Sequence, residues 1–510
     1  MSPAPHLPHM FLRFLPPLRP PPRAPSAPRG MAEMPGPSPI ASMYQLLCRG
    51  GLSRMHEMQV QGRARYGPLW KAAFGPIETV HVAQAELIQQ VLRQEGTFPV
   101  RSQLSSWKEY REWRGRACGL LTAEGAEWLR LRRLLGRLLL HPYRASSFSG
   151  AVGSVVAELV LALQREGDGN PEHLVRDLSS HLYRFGLEAS SAVLFASRLG
   201  CLEPEVPSAP SVFIGCVHSM FRTTLLTMAL PRLLLRMRHS PWDTFCRAWD
   251  GLFEFAQQHI DHRVAAVVAQ PHSVHGVCVT DLLLQEGMSM ESIYGNVTEL
   301  LLAGVDTISS TLTWSLYELA RNPQVQAALY RELTSTSTNN TSTGTGNNTN
   351  TSTGNNTNTS TGTGTGTVPL LRAVVKETLR LYPVIPANAR VIPDRDIRVG
   401  EFLVPRKTLI TLCHYAASRD PRVFPAPDQF HPERWLYQHH SVHPFASLPF
   451  GVGKRSCVGR RIAELQVYQA LAQILLRFEV RPEPGGGPIL PMTRTLLVPS
   501  APVNLQFLPR

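Results

Sequence analysis

Apolar residues recur at helical spacing through most of the chain between Tyr44 and Ala320. The longest of these patterns runs from about Met290 to Arg321 and is typical of a single long helix. A shorter stretch, from Trp70 to Val82, is typical of a pair of short strands. The pattern therefore predicts a mainly helical protein with a small β component.

The first 32 residues break this pattern, because they contain many prolines, no Asp or Glu, and the arginines Arg13, Arg19, Arg23 and Arg29. An acid-free leader that carries arginines is typical of an organellar transit peptide, which leaves residues 33–510 as the folded domain. A disordered tail is the alternative, since only Met10 to Leu15 could form the amphipathic helix that such a leader uses. No window of 18 uninterrupted apolar residues occurs, so we expect no transmembrane span.

A second break, Thr334 to Thr367, contains only Thr, Ser, Asn and Gly. Such a segment has no apolar surface to bury and cannot offset the entropy of ordering. We therefore expect a disordered surface loop that lengthens the connection between two helices and carries no chemistry.

The composition is that of a globular protein with a large core, since 43% of the residues are hydrophobic and 17% are charged. The net charge of +13 favours an acidic partner, which could be an anionic membrane, an acidic protein or a nucleic acid. We expect no nucleic-acid binding, because the basic residues are dispersed and do not alternate with aromatic residues in a block. The eight cysteines include no Cys-x-x-Cys pair, which argues against a zinc site or a disulfide framework.

The candidate chemistry lies in a glycine-rich loop, Phe450 to Gly459, which carries Arg455 and Cys457 just before an apolar helix. Cys457 can supply an axial thiolate to a haem iron, a ligand that favours cleavage of an O–O bond. The glycines let backbone N–H groups approach the sulfur, the helix N-terminus favours its negative charge, and Arg455 can pair with a haem propionate. A buried structural cysteine is the alternative.

The order Phe-x-x-Gly-x-Arg-x-Cys-x-Gly resembles the cysteine loop of the cytochrome P-450 superfamily at every fixed position. The resemblance covers the chain from about Glu33 to the end, apart from the low-complexity insert. It implies the fold of that superfamily, mainly α with a small β-rich lobe. It also implies haem b as the cofactor, Cys457 as the metal ligand, and Phe450 and Arg455 as further haem-binding residues.

A second motif of the superfamily, Ala303-Gly304-Val305-Asp306-Thr307, lies inside the long predicted helix. By resemblance this stretch crosses the distal face of the haem, where Thr307 would hydrogen-bond dioxygen and hold a water. Asp306 would relay protons from bulk solvent, which O–O cleavage consumes. The alternative is a threonine bonded to its own helix beside a surface aspartate.

Three further side chains, one tryptophan and two arginines, are candidates for the haem environment. Trp128 and Arg132 stand one helical turn apart and could reach a haem propionate together. Arg390 is a further propionate candidate by its position in the family. For both arginines, a solvated side chain is the alternative.

A structural network is also implied. Glu377 and Arg380 lie three residues apart on a predicted helix, and Pro432 to Trp435 resembles the family's second-arginine segment. Together they suggest a buried network of Glu377, Arg380 and Arg434 that supports the cysteine loop. An ordinary solvated salt bridge is the alternative.

The resemblance also suggests partners. Mitochondrial members of the superfamily use a basic pair at the place of Arg372 and Lys376 to dock an acidic iron–sulfur ferredoxin, which an NADPH-dependent flavin reductase reduces. Together with the leader, this implies a protein on the matrix side of the inner mitochondrial membrane. The segment Phe221 to Arg238, apolar with interspersed arginines, could contact the membrane peripherally, with two core helices as the alternative.

The expected function is that of a monooxygenase that uses O2 and ferredoxin electrons to hydroxylate a hydrophobic secosteroid. Sterol side-chain hydroxylation is the alternative within the mitochondrial class. The stretches that favour the secosteroid branch are Gly51 to Arg54, Ala117 to Gly125, Glu299 to Thr307 and His443 to Phe450. A haem-thiolate protein without catalysis is less favoured, because it would have no need for Asp306 and Thr307.

Overall fold

Helices make up most of the protein, as the apolar periodicity predicts. The structure is a computed structural model, and the residues that it describes are 27–74, 77–102, 104–229, 241–269, 278–342, 368–436 and 442–510. In this part of the chain the α-helices, numbered in order, are α1 (Pro39–Cys48), α2 (Met55–Tyr66), α3 (Ala85–Arg93), α4 (Ser105–Arg114), α5 (Gly125–Leu139), α6 (Pro142–Ser147), α7 (Ser149–Asp168), α8 (Leu178–Phe195), α9 (Ser208–Ala229), α10 (Pro241–Ala269), α11 (Val279–Gln285), α12 (Met290–Arg321), α13 (Pro323–Ser342), α14 (Pro369–Leu381), α15 (His414–Ala417) and α16 (Arg460–Arg477).

The strands are short and form small sheets. Their bounds are β1 (Arg29–Gly30), β2 (Leu69–Phe74), β3 (Ile77–Val82), β4 (Leu174–Val175), β5 (Asn388–Val391), β6 (Ile397–Val399), β7 (Phe402–Val404), β8 (Leu409–Leu412), β9 (Phe478–Pro482), β10 (Pro491–Arg494), β11 (Leu496–Pro499) and β12 (Leu505–Pro509). The strand orders are β2-β3-β8-β5, β1-β7-β6, β4-β12-β9 and β10-β11. The antiparallel pair β2 and β3, with Leu69 opposite Val82, confirms the predicted strand pair.

Helix α12 is the central element of the core and confirms the long helix predicted from Met290 to Arg321. Its N-terminus is capped by the Ser289 hydroxyl, which accepts a hydrogen bond from the Ser292 N–H. The helix stops just before Pro323, a residue that has no N–H to extend the helical ladder. Its buried middle therefore carries the Asp306 and Thr307 motif through the interior of the domain.

Two glycines let α12 pack closely against α8. A Cβ added at Gly186 would lie 2.9 Å from the carbonyl oxygen of Val305. A Cβ added at Gly304 would lie 2.7 Å from the Ser190 hydroxyl oxygen. Because real side chains do not tolerate such distances, these glycines fix the depth at which the motif segment sits.

The last residues of the predicted leader contact the folded domain. Arg29 and Gly30 form a parallel strand beside Phe402 and Leu403, so the described part of the predicted leader pairs with the domain. Residues 1–26, which include most of the leader, lie outside the described residues. Arg29 and Gly30 can pair in this way because a strand is held by hydrogen bonds between backbone N–H and C=O groups, which do not depend on the side-chain composition.

The start of the low-complexity insert differs from the prediction. Helix α13 continues to Ser342, into the segment predicted to be disordered. Hydroxyls at the start of the insert bond back to the preceding turn, with the Thr334 hydroxyl donating to the Tyr330 carbonyl and the Thr336 hydroxyl to the Glu332 carbonyl. These bonds extend a helix that apolar residues already hold in place. Residues 343–367 lie outside the described residues.

The predicted membrane-contact segment, Phe221 to Arg238, is described only as far as Ala229, which ends α9. Residues 230–240 lie outside the described residues. Among the helices that are described, none combines the length and the apolar character that a membrane crossing requires. All eight cysteines are free thiols.

Candidate active site

The loop from Phe450 to Gly459 closes on itself just before α16. The Cys457 N–H donates to the Phe450 carbonyl oxygen at 2.8 Å. Gly451 and Gly453 adopt φ angles of +66° and +75°, a region that favours glycine. These turns bring Cys457 directly to the N-terminus of α16, so its sulfur faces a cavity and is only partly buried.

The surroundings of Cys457 act on its thiol in opposite directions. Burial raises the pKa of the Cys457 thiol, while the Gly459 N–H and the nearby guanidinium groups of Arg101 and Arg132 lower it. A bound metal ion would lower the pKa of the thiol further and deprotonate it outright. Burial outweighs these groups, so the pKa of the thiol lies above its usual value until a metal ion binds the sulfur.

Helix α12 forms the wall of the same cavity that faces Cys457. Ala303, Gly304 and Thr307 all line it. The Thr307 hydroxyl donates to the Ala303 carbonyl oxygen at 2.8 Å, which holds this cavity-lining side chain against its own helix. The cavity has about 1690 Å³ of empty space, including its opening to solvent. Its lining is mostly apolar and includes Leu120, Leu121, Leu300, Ile308, Val384 and Ile385.

Asp306 lies on a different side of α12 from Thr307. Its side chain is buried, and among the described residues its Oδ2 atom has no hydrogen-bond partner. Burial raises the pKa of Asp306 to about 7, against the opposing effect of the Tyr183 hydroxyl. The His218 imidazole lies nearby, with Nε2 at 3.9 Å from Oδ1 of Asp306. The prediction of a surface aspartate, kept as the alternative, is wrong, since Asp306 is a buried acid that can hold or release a proton near neutral pH.

Arginine side chains converge at one end of the cavity. Arg455 donates to the carbonyl oxygens of Pro99, Leu120 and Ala123, and its guanidinium carbon lies 4.0 Å from the Trp128 ring centroid. Arg132 donates to the Ser456 carbonyl oxygen at 2.7 Å. Trp128, Arg132 and Arg455 thus come together as the sequence predicts, and Phe450 lines the same cavity.

Arg101 joins this cluster, although the sequence analysis did not single it out. It lines the cavity and donates to the Arg455 carbonyl oxygen at 2.8 Å. Burial, followed by repulsion from Arg390, lowers the pKa of Arg101 to about 10. Neither a helical periodicity nor a sequence motif identifies Arg101 as a site residue, because its loop meets the cysteine loop only in the folded chain.

Arg390 is oriented differently from the prediction. It is buried in β5 and donates to the Glu95 carboxylate at 2.7 Å. It does not belong to the lining of the cavity. The buried carboxylate of Glu95 captures this guanidinium because an unpaired buried charge is costly. Arg390 therefore contributes positive potential to the cluster without facing the cavity.

The charges of the arginine cluster indicate whether the cavity can hold haem, whose propionates are anions. In the part of the chain that the structure describes, no carboxylate lies within ion-pair distance of Arg101, Arg132 or Arg455. Burial, followed by repulsion from Arg101, lowers the pKa of Arg455 to about 9. Such an uncompensated buried cluster is stabilised by anions. A thiol donor, an apolar cavity and buried cations match the iron, ring and propionates of haem.

Glu377 is the centre of a buried network that joins α14 to the segment from His431 to Trp435. Arg380 donates to both of its oxygens at 2.9 Å, and Arg434 donates to one of them at 3.0 Å. The Trp435 indole N–H and the His431 backbone N–H complete the set at 2.8 and 3.0 Å. Burial alone would raise the pKa of Glu377, but Arg380 and these other donors outweigh it and lower the pKa. The geometry is that of the predicted network, with Trp435 as an added member.

A second buried carboxylate, Glu299, positions a cavity wall and was not predicted as a site residue. It accepts hydrogen bonds from the Leu121 N–H at 2.7 Å and from the Thr122 hydroxyl at 2.6 Å. Arg111 donates to it at 2.9 Å. Together with Asn296, which accepts from the Leu120 N–H at 3.0 Å, it fastens the loop before α5 to α12. This loop presents Leu120 and Leu121 to the cavity.

The predicted docking pair is exposed. Arg372 and Lys376 lie on one face of α14, as their spacing requires. Arg460 and Arg461, both exposed at the start of α16, act on the same neighbour, Tyr468, as Arg372 does. The described surface behind the cysteine loop therefore carries a basic patch, defined here as Arg372, Lys376, Arg460 and Arg461.

The chain matches the Cytochrome P-450 family over residues 34–507. It is 52% identical over 493 residues to the human mitochondrial 25-hydroxyvitamin D-1 alpha hydroxylase, covering 95% of this chain and 94% of that protein. The mouse protein of the same name is 51% identical over 491 residues, covering 94% and 93%. The rat mitochondrial sterol 26-hydroxylase is 38% identical over 497 residues, covering 94% and 89%. Together with the cysteine loop and the cavity that it faces, these matches show that the chain belongs to the cytochrome P-450 family of haem-thiolate proteins.

Proposed function

We propose that this chain is a mitochondrial haem-thiolate monooxygenase that hydroxylates 25-hydroxyvitamin D at the 1α position and so forms calcitriol. The observation that carries the substrate is the difference between 52% identity to the human 1α-hydroxylase and 38% to the rat sterol 26-hydroxylase, over nearly the same length. The mostly apolar cavity supports a hydrophobic secosteroid as the ligand.

Four groups of this chain would hold haem. Cys457 would ligate the iron, and Arg101, Arg132 and Arg455 would pair with the propionates beside Trp128. Bound haem supplies the oxygen activation, which an axial thiolate promotes by donating electron density. Phe450, which lines the cavity together with Cys457, would limit water beside the ligand. Arg390 is not proposed as a propionate ligand, because Glu95 already occupies its guanidinium.

Thr307 and Asp306 divide the proton delivery between them. Thr307 edges the cavity, where its hydroxyl can orient a water or an oxygen ligand. Asp306 supplies protons from the solvent side of α12, and its pKa of about 7 suits a group that must both release and regain a proton. A haem-binding protein without catalysis would have no use for a buried acid whose second oxygen has no described partner.

The electron donor is an acidic iron–sulfur ferredoxin, which an NADPH-dependent flavin reductase reduces. The basic patch of Arg372, Lys376, Arg460 and Arg461 supports this partner. Exposed charges of one sign steer a partner of opposite charge and raise the rate of encounter, an effect that salt weakens. The patch is contiguous with the cysteine loop through α16, so a ferredoxin docked there would lie close to Cys457.

A peripheral contact with the inner mitochondrial membrane, on its matrix side, is supported by α1. Ile40, Tyr44 and Leu47 are large apolar side chains on this helix with exposed fractions of 83%, 56% and 61%. Helix α1 carries no acidic residue and lies close to the N-terminus of the domain. An amphipathic helix of this kind can lie in the headgroup region of a bilayer. A transit peptide over residues 1–32 and a monooxygenase domain over residues 33–510 complete the proposed organisation.

Product analysis tests the proposed substrate. The enzyme, supplied with ferredoxin, reductase and NADPH, is incubated separately with 25-hydroxyvitamin D and with a sterol that has an unmodified side chain. The proposal predicts a product of 25-hydroxyvitamin D that is hydroxylated on the A ring. A terminal side-chain alcohol on the sterol, formed with the higher kcat/KM, would instead support the sterol hydroxylase.

A further inference from the structure

A second cavity opens to solvent beside Asp306 and is separate from the one that Cys457 faces. It has about 1290 Å³ of empty space, including its opening. Its polar lining consists of Asp177, Ser179, Tyr183, His218, Arg222 and Arg494, among others. Two of these residues, Tyr183 and His218, also lie next to Asp306. They therefore separate a buried acid from a polar, solvent-connected space.

These three side chains lie close together, within or slightly beyond hydrogen-bond distance of one another. His218 Nε2 lies 3.9 Å from Asp306 Oδ1, a gap that a small shift of either side chain closes. The Tyr183 and His218 rings meet edge to face, with centroids 4.7 Å apart. Burial, and then the charge of Asp306, raise the pKa of Tyr183, which keeps its hydroxyl protonated. The His218 side chain is 47% exposed, whereas Asp306 is 4% exposed.

We propose that His218 and Tyr183 form the proton entry to Asp306 from the second cavity. This inference rests on the proposed role of Asp306 in proton delivery. For each proton that Asp306 releases toward the Thr307 side, it regains one from the solvent side through the His218 imidazole or the Tyr183 hydroxyl, directly or through water. Only O–H and N–H bonds break and re-form, and no electrons are transferred. His218 and Tyr183 do not contact the reacting atoms themselves. They act through Asp306, to which they pass protons.

The charges around His218 suit such a relay. Burial, then Arg494 and Arg222, lower its pKa below the usual value, and Asp177 offsets part of this effect. These groups come from β10, from α9 itself and from the residue before α8, and Asp306 faces it from α12. At neutral pH the imidazole is therefore uncharged and has one donor and one acceptor nitrogen. Such a ring can pass a proton on without trapping it.

Proton exchange at Asp306 can be measured without turnover. The haem-loaded protein is mixed rapidly with D2O at about pH 6, where Asp306 is largely protonated, and the C=O stretch of the neutral carboxyl is followed by infrared absorption. The band is assigned by its absence in Asp306→Asn. The test variants are His218→Gln and Tyr183→Phe. The matched controls are Tyr294→Phe, which is on α12 but bonds to Asp261, and His259→Gln, whose ring contacts Phe195 and Phe255.

The proposal predicts that deuteration of the Asp306 band slows on the order of a hundredfold in the test variants, the lower end of what a positioned proton-transfer group contributes. Both controls should exchange like the wild type. Exchange at the wild-type rate in the combined His218→Gln and Tyr183→Phe variant would overturn the proposal. If Tyr183→Phe loses haem, the His218→Gln variant alone tests the proposal, because the His218 side chain is half exposed and its replacement should leave the fold intact. Full coupling of electrons to product in Asp306→Asn would refute the catalytic role of Asp306 instead, and the exchange rates are independent of that result.

Discussion

Replacing Arg380 with Leu tests whether the Glu377 network holds the cysteine loop in place. Arg380 is fully buried and donates to both Glu377 oxygens. It also donates to the carbonyl oxygens of Ser418, Pro427 and Gln429 at 3.0, 2.6 and 3.0 Å. The variant leaves Glu377 with Arg434 and two N–H donors, but the three carbonyl groups lose this donor.

The expected cost follows from these contacts. Breaking a buried ion pair by removing one partner costs about 3 to 5 kcal/mol. The total stability of a domain is about 5 to 15 kcal/mol, so the haem-free protein should be largely unfolded or marginal. We therefore expect a severe loss of bound haem per chain and a lower denaturant midpoint. Arg380→Lys keeps the charge but loses the two-pronged geometry, and its loss should be intermediate.

Haem content and denaturant unfolding, measured on the same preparation, check this prediction. Arg481→Leu is the matched control, because Arg481 pairs with Glu479 at 2.7 Å but both side chains are exposed. The control should keep its haem. A full haem complement in Arg380→Leu, with an unfolding free energy within about 1 kcal/mol of the wild type, the value for a surface pair, would refute the reasoning.

Four further predictions follow from the site. Thr307→Ala should keep its haem spectrum while diverting electrons to peroxide, measured as peroxide formed per NADPH consumed, and unchanged coupling would contradict the role of the hydroxyl. Arg101→Ala should weaken haem retention under dilution into a haem-binding competitor, because the propionates lose a buried cation; equal retention would place the propionates elsewhere. Arg372→Glu together with Lys376→Glu should raise the KM for ferredoxin and reduce its dependence on salt, without changing the haem spectrum, and an unaltered KM would exclude the basic patch as the docking site. Asp306 has a folded-state pKa of about 7, raised from 3.8, so its contribution lowers stability as the pH rises from about 4 to 7 and amounts to about 4 kcal/mol at most. Asp306→Asn should therefore gain stability relative to the wild type at pH 8 but not at pH 4, and equal differences in denaturant unfolding at both pH values would refute the raised pKa.

The features that the sequence predicts correctly are those encoded locally. The helix from Met290 to Arg321 follows from its apolar periodicity and is bounded by Ser289 and Pro323, which act within one turn. The cysteine loop follows from residues that are consecutive in the chain. In these cases the chemistry and the backbone geometry are set by neighbours a few positions apart.

The features that the sequence does not predict depend on contacts between distant segments. Arg390 occupies the position expected from the family, but it pairs with Glu95, almost three hundred residues away in the sequence. No residue close to Arg390 in the sequence indicates this partner. Arg101 and Glu299 acquire their roles in the same way. The helical start of the insert was missed for a different reason, since a preformed helix extends into a sequence that would not form one alone.

The proposed function depends above all on Cys457, which would supply the thiolate ligand of a haem in this cavity. The most direct test is the absorption spectrum of the reduced carbon monoxide complex, whose Soret band lies at longer wavelength with a thiolate ligand than with a neutral one. The wild type and Cys118→Ser, a control with a half-buried thiol near the cavity wall, should both show the thiolate position. Cys457→Ser should lose it, through loss of either the haem or the thiolate. A thiolate spectrum that survives in Cys457→Ser would contradict the account.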